Sequence, residues 1–123
     1  MKSQREVERE YNKLLQDVAT KDYYKVDLTN RVNCYLCSCG QITKTKDLDA
    51  GTTPMFIKCE TCGKDARSTF YQDIRPDQEP TYEWYRPALK EVLKLRSKET
   101  TLDHVLSGGL LLRKCNLSLT VPR

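Results

Sequence analysis

Along the first twenty residues the apolar positions recur with a helical period. Val7, Tyr11, Leu14, Leu15 and Val18 form one stripe, and Arg5, Glu8, Arg9 and Lys13 lie opposite. Ser3 followed by Glu6 matches a capping box, in which each side chain satisfies a backbone N–H at the helix start. This predicts a helix of about four turns with one face in a core. Residues 23–28 are mixed and read as loop or irregular strand. From Val32 to Tyr71 the pattern changes: short β-prone pieces at 41–45, 55–58 and 68–71 alternate with cysteine clusters, and residues 49–54 have loop chemistry. Residues 72–86 are rich in Pro and Asp. Pro87 then stands where a helix would begin, with Leu89, Val92, Leu93 and Arg96 on one face and Lys90, Lys94 and Lys98 on a neighbouring one. A further short helix is expected near Thr101, stopped by Gly108-Gly109, and the alternation from Cys115 to Val121 predicts a half-buried strand.

These elements imply an α+β fold: a small zinc-ribbon-like antiparallel sheet flanked by an N-terminal helix and C-terminal helices. The corresponding segments are 1–31 (helix and linker), 32–71 (sheet) and 72–123 (aromatic linker, helices and final strand), expected to form one compact unit.

With 123 residues and 38% hydrophobic composition, the chain has little core material. Small domains of this kind commonly need a staple. No window reaches the apolar length of a membrane span, and the charged start, residues 1–6, lacks the apolar run of a secretory signal. The expectation is a cytoplasmic protein, in whose reducing surroundings cysteine clusters read as metal ligands before disulfides. A net charge of +4, spread evenly along the chain, permits a nucleic-acid partner without implying one.

The six cysteines then become the chemistry of interest. Thiolate zinc sites need four ligands, usually delivered as two close pairs on two turns. Cys59 and Cys62, followed by Gly63, supply one pair. For the other, Cys34 with Cys37 has the commoner spacing, whereas Cys37 with Cys39 is followed by Gly40, matching Cys62-Gly63. Four thiolates close a tetrahedral shell, so the zinc would be structural. Cys115 reads as a small buried hydrophobe.

Residues 35–40, the Asp47-Leu48-Asp49 segment and residues 59–62 resemble the zinc finger of the diphthamide-biosynthesis CSL family, with its Cys-x-Cys-Gly, acidic middle segment and Cys-x-x-Cys. Together with the paired Cys-Gly steps, the resemblance favours Cys37, Cys39, Cys59 and Cys62 as ligands, and the Cys34 spacing keeps Cys34 as a substitute. It also implies zinc or redox-active iron, and in one member electron donation to a radical enzyme. Gly63-Lys64 stands where the family has Ser-Leu, so the spacing is carried over and the electron-transfer role kept as an alternative. The combination of residues 58–71, 83–87 and 104–113 resembles small bacteriophage proteins. That implies an accessory protein acting in the host cytoplasm on a host protein or defence complex, as an inhibitor or modulator.

No catalytic constellation emerges. His104 and Cys115 lack a nucleophile context, and Asp47 and Asp49 read as turn chemistry, so a non-enzyme without a small-molecule substrate is expected. Two binding functions remain. In one, Lys44, Lys46, Lys58, Lys64 and Arg67 with Tyr71, Tyr82, Trp84 and Tyr85 form a nucleic-acid ribbon, although acidic residues are interleaved. The Lys90, Lys94, Lys98 stripe is the cleaner partner-binding face for that reading. In the other, which the mixed surface favours, Trp84, Tyr85 and Arg86 meet a protein partner, the alternative being that Trp84 and Tyr85 cover the metal sheet and tie the C-terminal helix to it.

Overall fold

The computed structural model describes residues 1–115, so the alternating segment after Cys115 lies outside the described residues. The fold is α+β. Its order is α1 (Gln4–Thr20), a 3-10 turn (Asp22–Tyr24), β1 (Val32–Leu36), β2 (Ile42–Asp47), β3 (Phe56–Lys58), β4 (Asp65–Ser68), β5 (Tyr82–Tyr85), α2 (Leu89–Leu93), a 3-10 turn (Lys94–Ser97), α3 (Glu99–Leu106) and β6 (Leu111–Lys114). The chain divides into two compact units. One takes Met1–Asp27, Asp49–Thr53 and Tyr85–Leu111; the other takes Leu28–Leu48, Pro54–Trp84 and the described residues from Leu112 on.

In the helical unit, α1 starts on the expected capping box. Ser3 Oγ accepts from the Glu6 amide at 3.2 Å, and the Glu6 carboxylate accepts from the Ser3 amide at 3.5 Å. Val7, Tyr11 and Leu14 are buried with Val92, Leu102 and Val105, whereas Leu15, at the margin of the stripe, is exposed. The Tyr11 hydroxyl donates to the Pro87 carbonyl at 2.9 Å. Pro87 precedes the cap residue Ala88 instead of opening the helix, and α2 lasts only five residues. The Lys94 amide bonds both the Glu91 and Val92 carbonyls, which tightens the chain into the 3-10 turn.

The stop after α3 is a Schellman motif: the Gly108 amide bonds the Val105 carbonyl and the Gly109 amide bonds that of His104. Gly108 has φ +105, and a Cβ there would meet the Tyr24 hydroxyl at 2.4 Å, so conformation and space both demand glycine. His104 Nε2 donates to the Leu110 carbonyl at 3.0 Å, across the same turn.

The second unit holds the sheet, in the order β3-β4-β1-β2-β5-β6. It is mixed, not antiparallel throughout, because β5 pairs with β2 in parallel, Thr45 opposite Tyr82 and Asp47 opposite Trp84. The chain leaving β4 crosses β1 to the far side of β2, the kind of long connection that parallel pairing requires. The Lys44 side chain pins that connection. It is 6% exposed and donates to the carbonyls of Arg75 (2.7 Å) and Gln78 (2.5 Å), with Asp73 at 3.2 Å. All three ammonium hydrogens thus find acceptors, which is what makes its burial tolerable.

The other face is built on Tyr35 and Trp84, both buried, with ring centroids 6.3 Å apart. Trp84 Nε1 donates to Thr45 Oγ1 and the Tyr35 hydroxyl to the Pro54 carbonyl. After β4 the expected strand breaks off: Phe70 and Tyr71 both have positive φ, +56 and +66. Such values are uncommon for bulky residues. The buried Asn33 holds them, its amide donating to Ser68 Oγ (2.8 Å) and its oxygen accepting from the Tyr71 amide (3.0 Å), while Ser68 Oγ accepts from the Phe70 amide.

Asn33→Ala removes the acceptor of the Tyr71 amide and the donor to Ser68 Oγ. We expect it to lower the stability of the chain by about 1–3 kcal/mol, measured by urea denaturation. An unchanged midpoint would refute the role given to Asn33.

Candidate metal centre

Two hairpin ends build the site. β1 runs out at Leu36, and Cys37 and Cys39 sit on the turn into β2. β3 runs out at Lys58, and Cys59 and Cys62 sit on the turn into β4. Each turn is closed by the same kind of bonds. The Gly40 amide bonds the Cys37 carbonyl and the Cys37 amide the Gln41 carbonyl; the Gly63 amide bonds the Cys59 carbonyl and the Cys59 amide the Lys64 carbonyl. Gly40 and Gly63 have φ +93 and +76 with open space around the Cβ position, so the backbone turn alone, and not crowding, calls for glycine.

The turns bring four sulfurs within 4.8 Å of one another, those of Cys37, Cys39, Cys59 and Cys62. Cys37 and Cys62 Sγ are 3.3 Å apart, and Cys39 and Cys59 Sγ 3.7 Å. A tetrahedral zinc with bonds of about 2.3 Å needs sulfurs about 3.8 Å apart, so the cluster is of the size to hold a metal ion. Cys37 and Cys59 are buried, and Cys39 and Cys62 are exposed.

The thiols are electrically unequal. The Cys39 amide, then the Cys62 thiol, pulls Cys37 below the ordinary thiol value. Cys59 is lowered to about 7, chiefly by the Cys62 amide and further by that of Thr61. For Cys62 the Lys64 amide acts downward, but Cys37, burial and the other two thiols together push it up to about 11. Hydrogen bonds from turn amides favour thiolate at two sulfurs, and the mutual repulsion of thiolates falls on the last.

Cys34 does not belong to this group. It lies inside β1 opposite Lys44, fully buried, with its sulfur 3.8 Å from Asp73 Oδ1, and the strand register fixes that direction. The substitute-ligand role is therefore corrected. Cys115 is half-buried and burial raises its thiol. Asp47 is buried and accepts from Arg31 Nε (3.1 Å) and the Tyr71 hydroxyl (2.9 Å), and Asp49 accepts from the Arg86 amide, so one carboxylate joins two side chains and the other holds a backbone amide.

The residues expected to meet a partner are placed differently. Trp84 is 3% exposed and is no contact residue, because β5 turns its ring onto the Tyr35 face. The half-buried Tyr85 donates to Glu91. The Arg86 side chain donates to the Ala50 carbonyl and stacks 5.6 Å over the Tyr24 ring. Lys90, Lys94 and Lys98 are exposed, but the α-helical repeat that would align them ends at Leu93.

The ribbon of bases and stacking rings also changes. Lys44 is buried, Tyr71 lies under the Arg31 guanidinium at 4.1 Å, and Tyr82 is bonded to Glu60. What sequence reasoning missed is a set of exposed apolar residues beside the cysteines: Leu36, Met55, Phe56 and Phe70. Their only sequence signal is position next to a turn, where a β-prone residue need not face a core.

No protein-family model, curated protein or solved structure matches the chain. Among the described residues no helix is long and apolar enough to cross a membrane.

Because an ion must displace thiol protons, with Cys59 lowered to about 7 and Cys62 pushed up to about 11, we expect metal affinity to rise with pH between those two values. Cobalt titration followed by its thiolate charge-transfer band measures this. Cys59→Ser should abolish the band and lower the thermal midpoint, whereas Cys34→Ser should keep the band; full thermal stability of Cys59→Ser refutes the site.

Proposed function

We propose that the chain is a non-enzymatic zinc protein whose metal staples a small sheet for docking onto another protein. The observation that carries this is the donor set: among the described residues the cluster holds four cysteines and no other ligating group. Four thiolates fill a tetrahedral shell and leave no position for a reacting water, so the ion supplies folding energy instead of catalysis. Zinc suits a closed all-sulfur site better than a hard cation does.

Several features support a protein partner. Leu36, Phe56 and Phe70 are 45%, 50% and 61% exposed, close to the stapled turns, and aromatic residues are favoured anchors in interfaces. The bases do not form an unbroken phosphate track: Lys58 is held by Asp65 at 2.9 Å and Lys46 lies 4.0 Å from Glu83, which leaves Lys64 and Arg67, and four thiolates on a divalent ion would carry net negative charge beside them. The resemblance to bacteriophage proteins is what suggests a host protein as the partner.

Affinity capture from bacterial lysate with the zinc-loaded chain, with and without nuclease, tests the reading. We expect a discrete protein to survive nuclease and to be recovered about tenfold less by a Phe56→Ala, Phe70→Ala double variant. Recovery that collapses with nuclease would put a nucleic-acid-binding ribbon in its place.

A further inference from the structure

β3 is the last strand on its side of the sheet, paired only with β4. Its register places Phe56 opposite Arg67, Ile57 opposite Ala66 and Lys58 opposite Asp65. The Ser68 amide bonds the Met55 carbonyl, and the Cys59 amide bonds the Lys64 carbonyl. In an antiparallel ladder hydrogen-bonded pairs alternate, so Met55, Ile57 and Cys59 turn their backbone groups toward β4. Phe56 and Lys58 therefore turn theirs outward, two N–H and two C=O groups along an edge that no described strand covers.

The side chains beside that edge have a definite chemistry. Leu36 pairs with Arg67 across β1 and β4, and Arg67 with Phe56 across β4 and β3, so the three stand in one row on one face. Ile42 extends the row beyond Leu36. Phe70 closes it, its ring 6.0 Å from the Arg67 guanidinium. A shallow cavity of about 270 Å3 opens at the row, lined by Leu36, Cys37, Ser38, Arg67, Ser68 and Thr69.

The charge is unbalanced there. Asp65, opposite Lys58 on β4, is engaged by Lys58, and Glu60, on the turn after β3, by the Tyr82 hydroxyl. Among the described residues Arg67 and Lys64 have no carboxylate partner.

We propose that the edge of β3 accepts an extended segment of the partner protein as an added strand. That segment carries a carboxylate for Arg67 flanked by apolar side chains for Phe56, Phe70 and Leu36. Main-chain bonds to Phe56 and Lys58 supply affinity, and the Arg67 row supplies selectivity. A second copy of this chain fits less well, because it would bring its own Arg67 and Lys64 to the same place. The inference rests on the protein-docking reading and names its mode.

The test is a selection of random linear peptides of about ten residues against the zinc-loaded chain, followed by titration of the enriched peptides in synthetic form. Three variants read the result. Lys58→Pro removes an outward N–H where the ladder does not use it, a position at which an edge strand tolerates proline. Lys58→Ala controls for the loss of the ammonium, and Arg67→Glu reverses the charge. The cobalt spectrum of each variant confirms that the stapled sheet persists.

We expect peptides alternating acidic and apolar residues, weakened about tenfold or more by Lys58→Pro and by Arg67→Glu and unchanged by Lys58→Ala. Enriched peptides that ignore Lys58→Pro overturn strand addition, as do basic peptides or no enrichment. Concentration-dependent dimers abolished by Lys58→Pro would also overturn it, by making a second copy the occupant. If a protein captured from lysate still binds the Lys58→Pro variant, the docking reading stands and only the edge fails.

Discussion

Four thiols held within 4.8 Å of one another cannot all ionise unless a cation sits among them. That electrostatic constraint governs the unit that carries the sheet. Without an ion, the sulfurs must share protons, as the opposite displacements of Cys59 and Cys62 show. With one, the same repulsion becomes attraction to a common centre, and two hairpin ends are tied together. The strands around them are short, β3 with three residues and β4 with four, so on the proposed reading such a tie would add to what their ladder bonds supply.

The same unit has an unusual interior. Asn33, Thr43, Lys44, Thr45, Asp47, Ser68 and Glu83 are buried alongside Tyr35, Ala66 and Trp84. Such groups are tolerable only when their hydrogen bonds are made, and most are. Lys44 reaches three acceptors, Asn33 uses both ends of its amide, and the Thr45 hydroxyl donates to the Asn33 carbonyl while accepting from Trp84. The exception is Asp47 Oδ1, which is buried without a partner among the described residues; desolvation raises this carboxyl although Tyr71 and Arg31 act the other way. Polar contacts of this kind fix direction more than they add stability, and here they fix the turn that carries Phe70.

Sequence reasoning reached the features that depend on local spacing. The capping box and the Val7, Tyr11, Leu14 stripe are readable because a helix repeats within one turn, and the stop at Gly108 because αL geometry selects glycine. The four clustered cysteines were legible for a similar reason, each pair lying on one short turn. What was not legible depends on contacts distant in the chain. Lys44 looks like any surface lysine until residues 73–78 fold over it, and whether Trp84 is an anchor or a cover for the sheet is decided only when β5 docks beside β2. The Lys90, Lys94, Lys98 stripe assumed an α-helical repeat that the bonds at Lys94 interrupt. Phe70 and Tyr71 read as strand residues because their propensity is for strands, and tertiary bonds from Asn33 override it.

That override bears on what the molecule does. Two successive bulky residues at positive φ cost of the order of 1–3 kcal/mol each, and a strand continued through Thr69 would have avoided the cost. The turn instead leaves the Phe70 ring 61% exposed, beside Arg67 and on the same side as Phe56 and Leu36. A ring presented at the expense of backbone strain, on a sheet already short of apolar core, is poorly explained by stability. The occupant proposed for the β3 edge would explain it. The row's single unbalanced guanidinium, set among apolar side chains, is matched to one carboxylate and its neighbours, whereas a nucleic acid would need a succession of cations where Asp65 and the thiolates stand.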